Sequence, residues 1–335
     1  MLIYTFRRLL ISIPTLLFIA FVIFMLLELA PGDPMAQMPL TIPPEVKEKM
    51  RIALGLGEPW YVRFPLWLKQ FFIVEPQYWI DSAFGTNFAD GKQRIISFQS
   101  RSPVFDVIAQ RLPQTLWVVG MSYVVGVLIA LPIGIISAYR QYSVFDQAGT
   151  FVSMIGFSVP PFFSGVLLIV IFSVQLGWLP SIYDTTLVVR DWATFKQQLM
   201  QMVMPVMVLA LQTTATVSRY MRASMLDNLS QDYVRTARAK GMTESVVVMK
   251  HVLRNSMIPV VTVIALGIPA IFGGAIITEQ IFKVNGLGQL LILALQGSDI
   301  PMVMTITFLL AVLIVFMNLI ADVLYGILDP RIRYE

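Results

Sequence analysis

The chain has no cysteine and a single histidine, His251. Disulfides and thiolate metal sites are excluded, and one histidine without cysteine offers no basis for a zinc site or a nucleophile–histidine pair. Charge is scarce as well: 13% of residues are Asp, Glu, Lys or Arg, against roughly 25% in soluble domains. The one Gly-Lys pair, Gly91-Lys92, is followed by Gln93. The phosphate-cradling pattern Gly-x-x-x-x-Gly-Lys-[Ser/Thr] is therefore missing, and any ATP hydrolysis must reside on another chain. No Gly-x-Ser-x-Gly elbow occurs either, so no catalytic residue is assigned and no enzyme activity is expected. No basic stretch is interleaved with aromatic residues, and the net charge of +4 is what Lys and Arg at helix ends would supply; nucleic acid is not an expected partner.

What is abundant is apolar surface. Hydrophobic residues make up 57% of the 335-residue chain and the mean hydropathy is +0.74, with the apolar residues in long runs. This composition makes a lipid bilayer the solvent. Six runs are long enough to cross it, at roughly 9–29, 114–138, 149–176, 204–225, 257–281 and 302–324. The first follows Arg7 and Arg8 and exceeds the ~7–15 apolar residues of a signal peptide. It leads into Pro31-Gly32-Asp33-Pro34 with no small-residue cleavage site, so it reads as a retained helix. One set of ends carries Arg7, Arg8, Arg140, Arg219, Arg222, Arg235, Arg238, Lys240, Lys250, Arg254, Arg331 and Arg333; the opposite short loops carry only Arg190, Lys196 and Lys283. The positive-inside rule then places both termini in the cytoplasm.

By alternation the segment 31–110 falls outside. It holds an expected short helix over 44–54, followed by Trp60, Tyr61, Phe64, Trp67, Phe71, Phe72, Tyr78 and Trp79. Aromatic residues favour the membrane interface, so a cap on the outer surface is the preferred reading, with a partner-docking surface as the alternative. Expected units are a first helix at 1–30, the outer segment at 31–110, a five-helix membrane domain at 111–326 and a tail at 327–335.

The loop 228–256 carries most of the mechanistic information. Residues 229–240 contain no Pro or Gly, and Gly241 fits the left-handed position after a helix. Thr243 is placed to cap a second helix, with Glu244 at its positive end; that helix is expected to stop near Asn255, putting Lys250 and Arg254 at its negative end. Pro259 would open the next span. A helix, a glycine break and a short amphipathic helix form a rigid element suited to carry force from a soluble motor. An interfacial helix resting on lipid head groups would look the same on physics alone.

Arg235-Thr236-Ala237-Arg238-Ala239-Lys240-Gly241, then nine residues, then His251-Val252-Leu253-Arg254-Asn255 and Pro259, resembles the EAA loop of ABC import permeases. The general pattern has an acidic residue and alanine where Arg235 and Thr236 stand, and proline where Arg254 stands. The form found here is typical of the oligopeptide/dipeptide branch. Arg7-Arg8-Leu9, Leu29-Ala30-Pro31-Gly32-Asp33-Pro34, Arg111-Leu112-Pro113-Gln114-Thr115, Ser158-Val159-Pro160-Pro161-Phe162, Leu176-Gly177-Trp178-Leu179-Pro180, Gly286-Leu287-Gly288 and Leu328-Asp329-Pro330-Arg331 resemble that branch in the same order; 84–103 fits least.

The resemblance implies an all-α membrane protein: a six-helix type I ABC importer permease with a cytoplasmic EAA coupling helix and an extended periplasmic segment after the first helix. It implies a bacterial inner-membrane location, a second homologous permease, two ATP-binding subunits, a periplasmic solute-binding protein, and ATP and Mg on those partners with no cofactor on this chain. Ala237 to Glu244 would contact the ATPase, with Gly241 turning the chain and Glu244 and Ser245 at the tip; His251 would join the docking surface. Peptide is the default solute, with nickel, glutathione, sugars and opines as alternatives in the branch.

For the pathway, Gln212, Thr213, Thr214, Thr216 and Ser218 interrupt the fourth span, and Gln212 and Thr216, one turn apart, are the first lining candidates. Pro160, Pro161 and Ser164 break the third span, and Gly267, Pro269, Gly273 and Gly274 the fifth. Packing through small residues is the preferred reading for Gly267 and Gly273. Glu279, near the end of the fifth span, is expected in outer solvent rather than against a substrate amine. Mid-span charge is nearly absent, which argues against the runner-up, a stand-alone secondary transporter or channel. A purely structural scaffold would leave the break at Gly241 and the polar stripe unexplained.

Overall fold

A computed structural model describes residues 2–29, 45, 48, 57–268 and 276–328. The expected 44–54 helix apart from Glu45 and Glu48, together with Pro269, Gly273, Gly274 and the 329–335 stretch, lies outside the described residues. Those residues are helical apart from loops, with one isolated antiparallel bridge between Ile96 and Pro103. Among the described residues, five helices are long and apolar enough to cross a membrane, six when one bent pair counts as a span. In lipid, where no water satisfies backbone N–H and C=O groups, the helix is the form that pairs them within one segment.

The apolar runs underestimate the helices. The second runs Val104–Tyr139 and the fourth Trp192–Leu229; the first and last are Leu2–Glu28 and Ile300–Leu328. The 38 residues of the fourth extend to about 57 Å at ~1.5 Å each, well beyond a ~30 Å hydrocarbon core. It starts at Asp191, whose carboxylate accepts the Thr194 amide at 2.8 Å while the Thr194 hydroxyl accepts the Asp191 amide at 3.1 Å. This reciprocal cap fixes the start of a helix that hydropathy alone would begin a dozen residues later. The expected third span is two helices, Val144–Ser158 and Pro161–Gln175, bent by 105° where Pro160 and Pro161 interrupt the backbone ladder. The fifth differs most: a helix runs Glu244–Gly267, followed beyond the undescribed stretch by Ile276–Phe282.

Within the unit built on residues 113–289, the long helix Trp192–Leu229 is the axis. Val104–Tyr139 approaches it through glycines: a Cβ on Gly126 would lie 2.7 Å from the Thr213 Cβ, and one on Gly134 would lie 2.6 Å from the Met221 Cβ. Gly156 gives Val144–Ser158 a similar approach beside Leu211. Small residues at crossings are how membrane helices gain packing without a hydrophobic drive between them.

The second unit comprises residues 10–112 and 290–312. Trp67 and Phe71 are buried and stack edgewise on Phe308, which is fully buried in the last helix. These two rings pack into a core with Phe308, whereas Trp60, Tyr61, Phe72 and Trp79 remain exposed. Arg94 joins fully buried Glu75 at 2.8 Å to Asp106 at 2.9 Å. The buried Asp299 carboxylate accepts the Ser97 hydroxyl at 2.5 Å and the Phe98 and Gln99 amides at 3.0 and 3.2 Å. Arg63 pairs with Glu28.

Candidate functional site

Two features of the first unit bring the predicted residues together: a turn between helices and a cavity. The turn begins with helix Asp232–Ala239. Its buried side chains, Val234 and Ala237, enter a core shared with Met221 and Met225 of the long helix and Val247, Val248 and Val252 of the next. Ala237 is thus turned inward and seats the helix, while Arg235, Thr236, Arg238, Ala239 and Lys240 are exposed. Gly241 has φ +74°. Its amide donates to the Arg238 carbonyl at 3.0 Å, and the Met242 amide to the Ala237 carbonyl at 3.4 Å. This pair of bonds is the Schellman closure of a helix, and it needs a residue at ease with positive φ.

Across the turn, Arg238 donates to Glu244 through Nη2 at 2.6 Å and Nε at 3.1 Å. The pair raises the Arg238 guanidinium above its ordinary pKa, because the carboxylate favours the charged form. Thr243 has the extended backbone of a cap, and its carbonyl accepts the Val246 and Val247 amides at 3.0 Å each. Its hydroxyl makes no cap bond and lies 3.5 Å from that of Ser245. The expected side-chain cap is therefore absent; the Arg238–Glu244 pair closes the turn instead.

The helix that follows does not stop near Asn255. It runs on to Gly267 through a wide π stretch at Val247–Val252. Lys250 and Arg254 consequently sit inside a helix, and the expected favourable helix-end field does not act on them. Arg254 and Asn255 are exposed, and His251 lies in the π stretch with its Nε2 buried and without a hydrogen-bond partner among the described residues. The long helix is stapled to this one by a reciprocal pair: the Ser224 hydroxyl donates to the Ser256 carbonyl at 2.9 Å, and the Ser256 hydroxyl to the Ser224 carbonyl at 3.2 Å.

The cavity has a volume of about 580 Å³. Gln212, Thr213 and Thr216 line it from the long helix, with Ser122 and Tyr123, Pro161, Val263 and Gly267, and Ile277 and Thr278. No charged side chain is among its lining residues, of those described. Tyr123 donates to the Ile264 carbonyl, and the Thr278 hydroxyl is buried without a hydrogen-bond partner among the described residues. Thr214 instead donates to the Gly126 carbonyl at 3.1 Å, and Ser218 lies 3.3 Å from Ser153. The polar stripe therefore divides between lining and helix packing. Pro160 and Ser164 are not in the lining; the Ser164 hydroxyl reaches the Pro160 carbonyl at 3.5 Å. Gly267 both lines the cavity and admits Tyr123, whose hydroxyl would collide with a Cβ there.

Glu279 corrects the expectation of outer solvent: it is fully buried. One carboxyl oxygen accepts the Thr115 hydroxyl at 2.9 Å, and the other the Gln289 amide at 3.0 Å; Thr115 also accepts the Leu287 amide at 2.8 Å. A Cβ on Gly286 would collide with this carboxyl group. Glu279 thus folds the 283–289 stretch around itself. Its partner Thr115 is 164 residues away, and no local pattern announces such a contact. The Arg238–Glu244 clamp, by contrast, spans a glycine turn by six residues and was open to inference from charge alone.

Two family models cover most of the chain: the binding-protein-dependent transport system inner membrane component over residues 130–334, and the N-terminal part of binding-protein-dependent transport system membrane components over residues 1–119. The oligopeptide transport system permease protein AppB of Bacillus subtilis is 40% identical over 335 residues, covering 99% of each chain. The glutathione transport system permease protein GsiC of Escherichia coli K12 is 37% identical over 339 residues, covering all of both chains.

Proposed function

Since the chain belongs to the inner-membrane components of binding-protein-dependent transport systems, as a multi-pass permease subunit of an ABC importer, we propose that it forms half of a peptide pathway driven through its 228–256 loop. In this reading both termini and the loop face the cytoplasm, and 31–110 faces the periplasm. The full type I architecture, a second permease, two ATP-binding subunits and a periplasmic solute-binding protein complete the importer. ATP and Mg are handled by the partners.

The observation that carries the reading is the preformed turn at Gly241, clamped by Arg238–Glu244 and seated by Val234 and Ala237 on the ends of the membrane helices. Its exposed residues, Arg235, Thr236, Arg238, Ala239, Lys240, Thr243 and Ser245, with Arg254 and Asn255, offer a stiff basic knob to a groove on an ATPase. The buried side shares one core with the long helix, so a push on the knob is delivered to the helix that holds Gln212, Thr213 and Thr216. Alternating access then follows by rocking of packed helices. The uncharged cavity suits a solute whose backbone amides and carbonyls hydrogen-bond while its side chains vary. Peptide is the assigned solute class; the two relatives named above carry oligopeptide and glutathione in their names, both peptide-bonded solutes.

Gly241→Pro tests the coupling role. Proline fixes φ near −65°, incompatible with the +74° observed. The expected outcome is normal membrane insertion with loss of solute-stimulated ATP hydrolysis by the assembled transporter; stimulation at the wild-type level would contradict the docking role.

A further inference from the structure

The long helix Trp192–Leu229 carries the cavity residues Gln212 and Thr216 in its length and leads into helix Asp232–Ala239. Between these, Arg222 reaches sideways to Asp146. Its Nε and Nη2 donate to the two carboxylate oxygens at 2.6 and 2.8 Å. Asp146 is 3% exposed, in the first turn of Val144–Ser158. Its carboxylate also accepts the Tyr142 amide at 2.9 Å. Tyr142 has φ +65°, a conformation a non-glycine residue keeps only where its surroundings hold it. The Gln147 amide group holds the same residue through its carbonyl, at 3.2 Å. A single buried acid therefore fixes both the 140–143 turn and the end of the long helix.

Asp146 is buried while Arg222 is 28% accessible, and such an ion pair is a poor device for stability, because desolvation of the buried charge offsets much of the attraction. Apolar packing would join two helices as well. What the bidentate pair adds is direction: it resists sliding and rotation of one helix against the other. The helix so held, Val144–Ser158, ends in the 105° bend, and Pro161 directly after the bend lines the cavity.

We propose that Asp146 and Arg222 are positioning residues of the transport stroke: their pair makes the 140–143 turn, helix Val144–Ser158 and the end of helix Trp192–Leu229 move as one body, so that displacement of the Asp232–Ala239 element reaches the bend and Pro161 in the cavity wall. This rests on the reading of that element as the ATPase contact. Neither residue is among those lining the cavity, and the pair lies outside the exposed 235–245 surface assigned to the ATPase, with side chains 28% and 4% accessible.

The test uses the complete transporter in proteoliposomes, with this chain, its partner permease, the ATP-binding subunits and the solute-binding protein. The probe is a mixed library of short peptides including glutathione, with uptake read by mass spectrometry. In Asp146→Asn and Arg222→Gln, co-purification of the ATP-binding subunits and ATP hydrolysis stay near wild type, while solute moved per ATP falls by about fivefold or more. Asp146→Glu, which keeps the carboxylate, recovers much of that ratio. An unchanged ratio in intact Asp146→Asn complexes overturns the proposal. Parallel loss of assembly and hydrolysis in both variants, with no recovery in Asp146→Glu, overturns it as well, since the pair would then only hold the fold. If the wild-type complex itself moves nothing with ATP, the importer reading fails first, and the stroke with it.

Discussion

At the scale of single residues, the buried acids and the tight glycines set the geometry. Glu279 satisfies the Gln289 amide and the Thr115 hydroxyl. Glu279→Ala strands both in a buried site, at about 1–3 kcal/mol for each unsatisfied group, and should lower the melting temperature of the purified chain in detergent. Gly134→Ala places a methyl group 2.6 Å from the Met221 Cβ, with overpacking costing about 1–3 kcal/mol; the same melting measurement reads it, and Gly120→Ala, whose Cβ would meet nothing within 4 Å, is the control. Sequence made Gly241 legible, because a glycine directly after a run of helix formers marks the left-handed position that closes a helix. It left Glu279 illegible, because proximity to a span end predicts solvent and only the distant Thr115 and the loop amides make burial tolerable.

At the scale of elements, hydropathy located the membrane helices but not their ends. Ends are set by caps and clamps, which carry little apolar signal. The start of Trp192–Leu229 is such a case. The Asp191 carboxylate is held below the usual carboxylate range by the Thr194 amide and then by the Thr194 hydroxyl. A depressed folded-state pKa means that this cap is fully formed above the unfolded value and is lost as pH falls through the folded one. Protection factors for amide exchange at Ala193 and Thr194, taken against the intrinsic exchange rate at each pH, should fall under that acidification, and Asp191→Ala should show the lower protection at neutral pH as well. The 105° bend was foreshadowed by Pro160-Pro161, since two consecutive prolines cannot continue a helix. The continuation of Glu244 to Gly267 was not, because Pro259 sits inside that helix where sequence reading placed a start. Helix neighbours in a membrane protein tolerate such a proline by satisfying the freed carbonyl locally.

At the scale of the whole molecule, three properties come together: scarce charge, a cavity with no charged side chain among its described lining residues, and a clamped basic turn seated on the helix that lines it. The first and third were readable from composition and from the ordered motifs. The cavity was readable only in part, since the polar stripe of the fourth span names residues without saying which of them pack. Thr214 and Ser218 look like Gln212 and Thr216 in sequence and differ only in what Gly126 and Ser153 offer them. In the proposed importer, energy for movement comes from the partner ATP-binding subunits, and the most direct measurement is uptake by proteoliposomes that contain the chain with its co-purifying partners. The account predicts peptide accumulation that requires ATP, the ATP-binding subunits and the solute-binding protein together. Transport by the chain alone, without ATP, would contradict it and restore the secondary-transporter alternative.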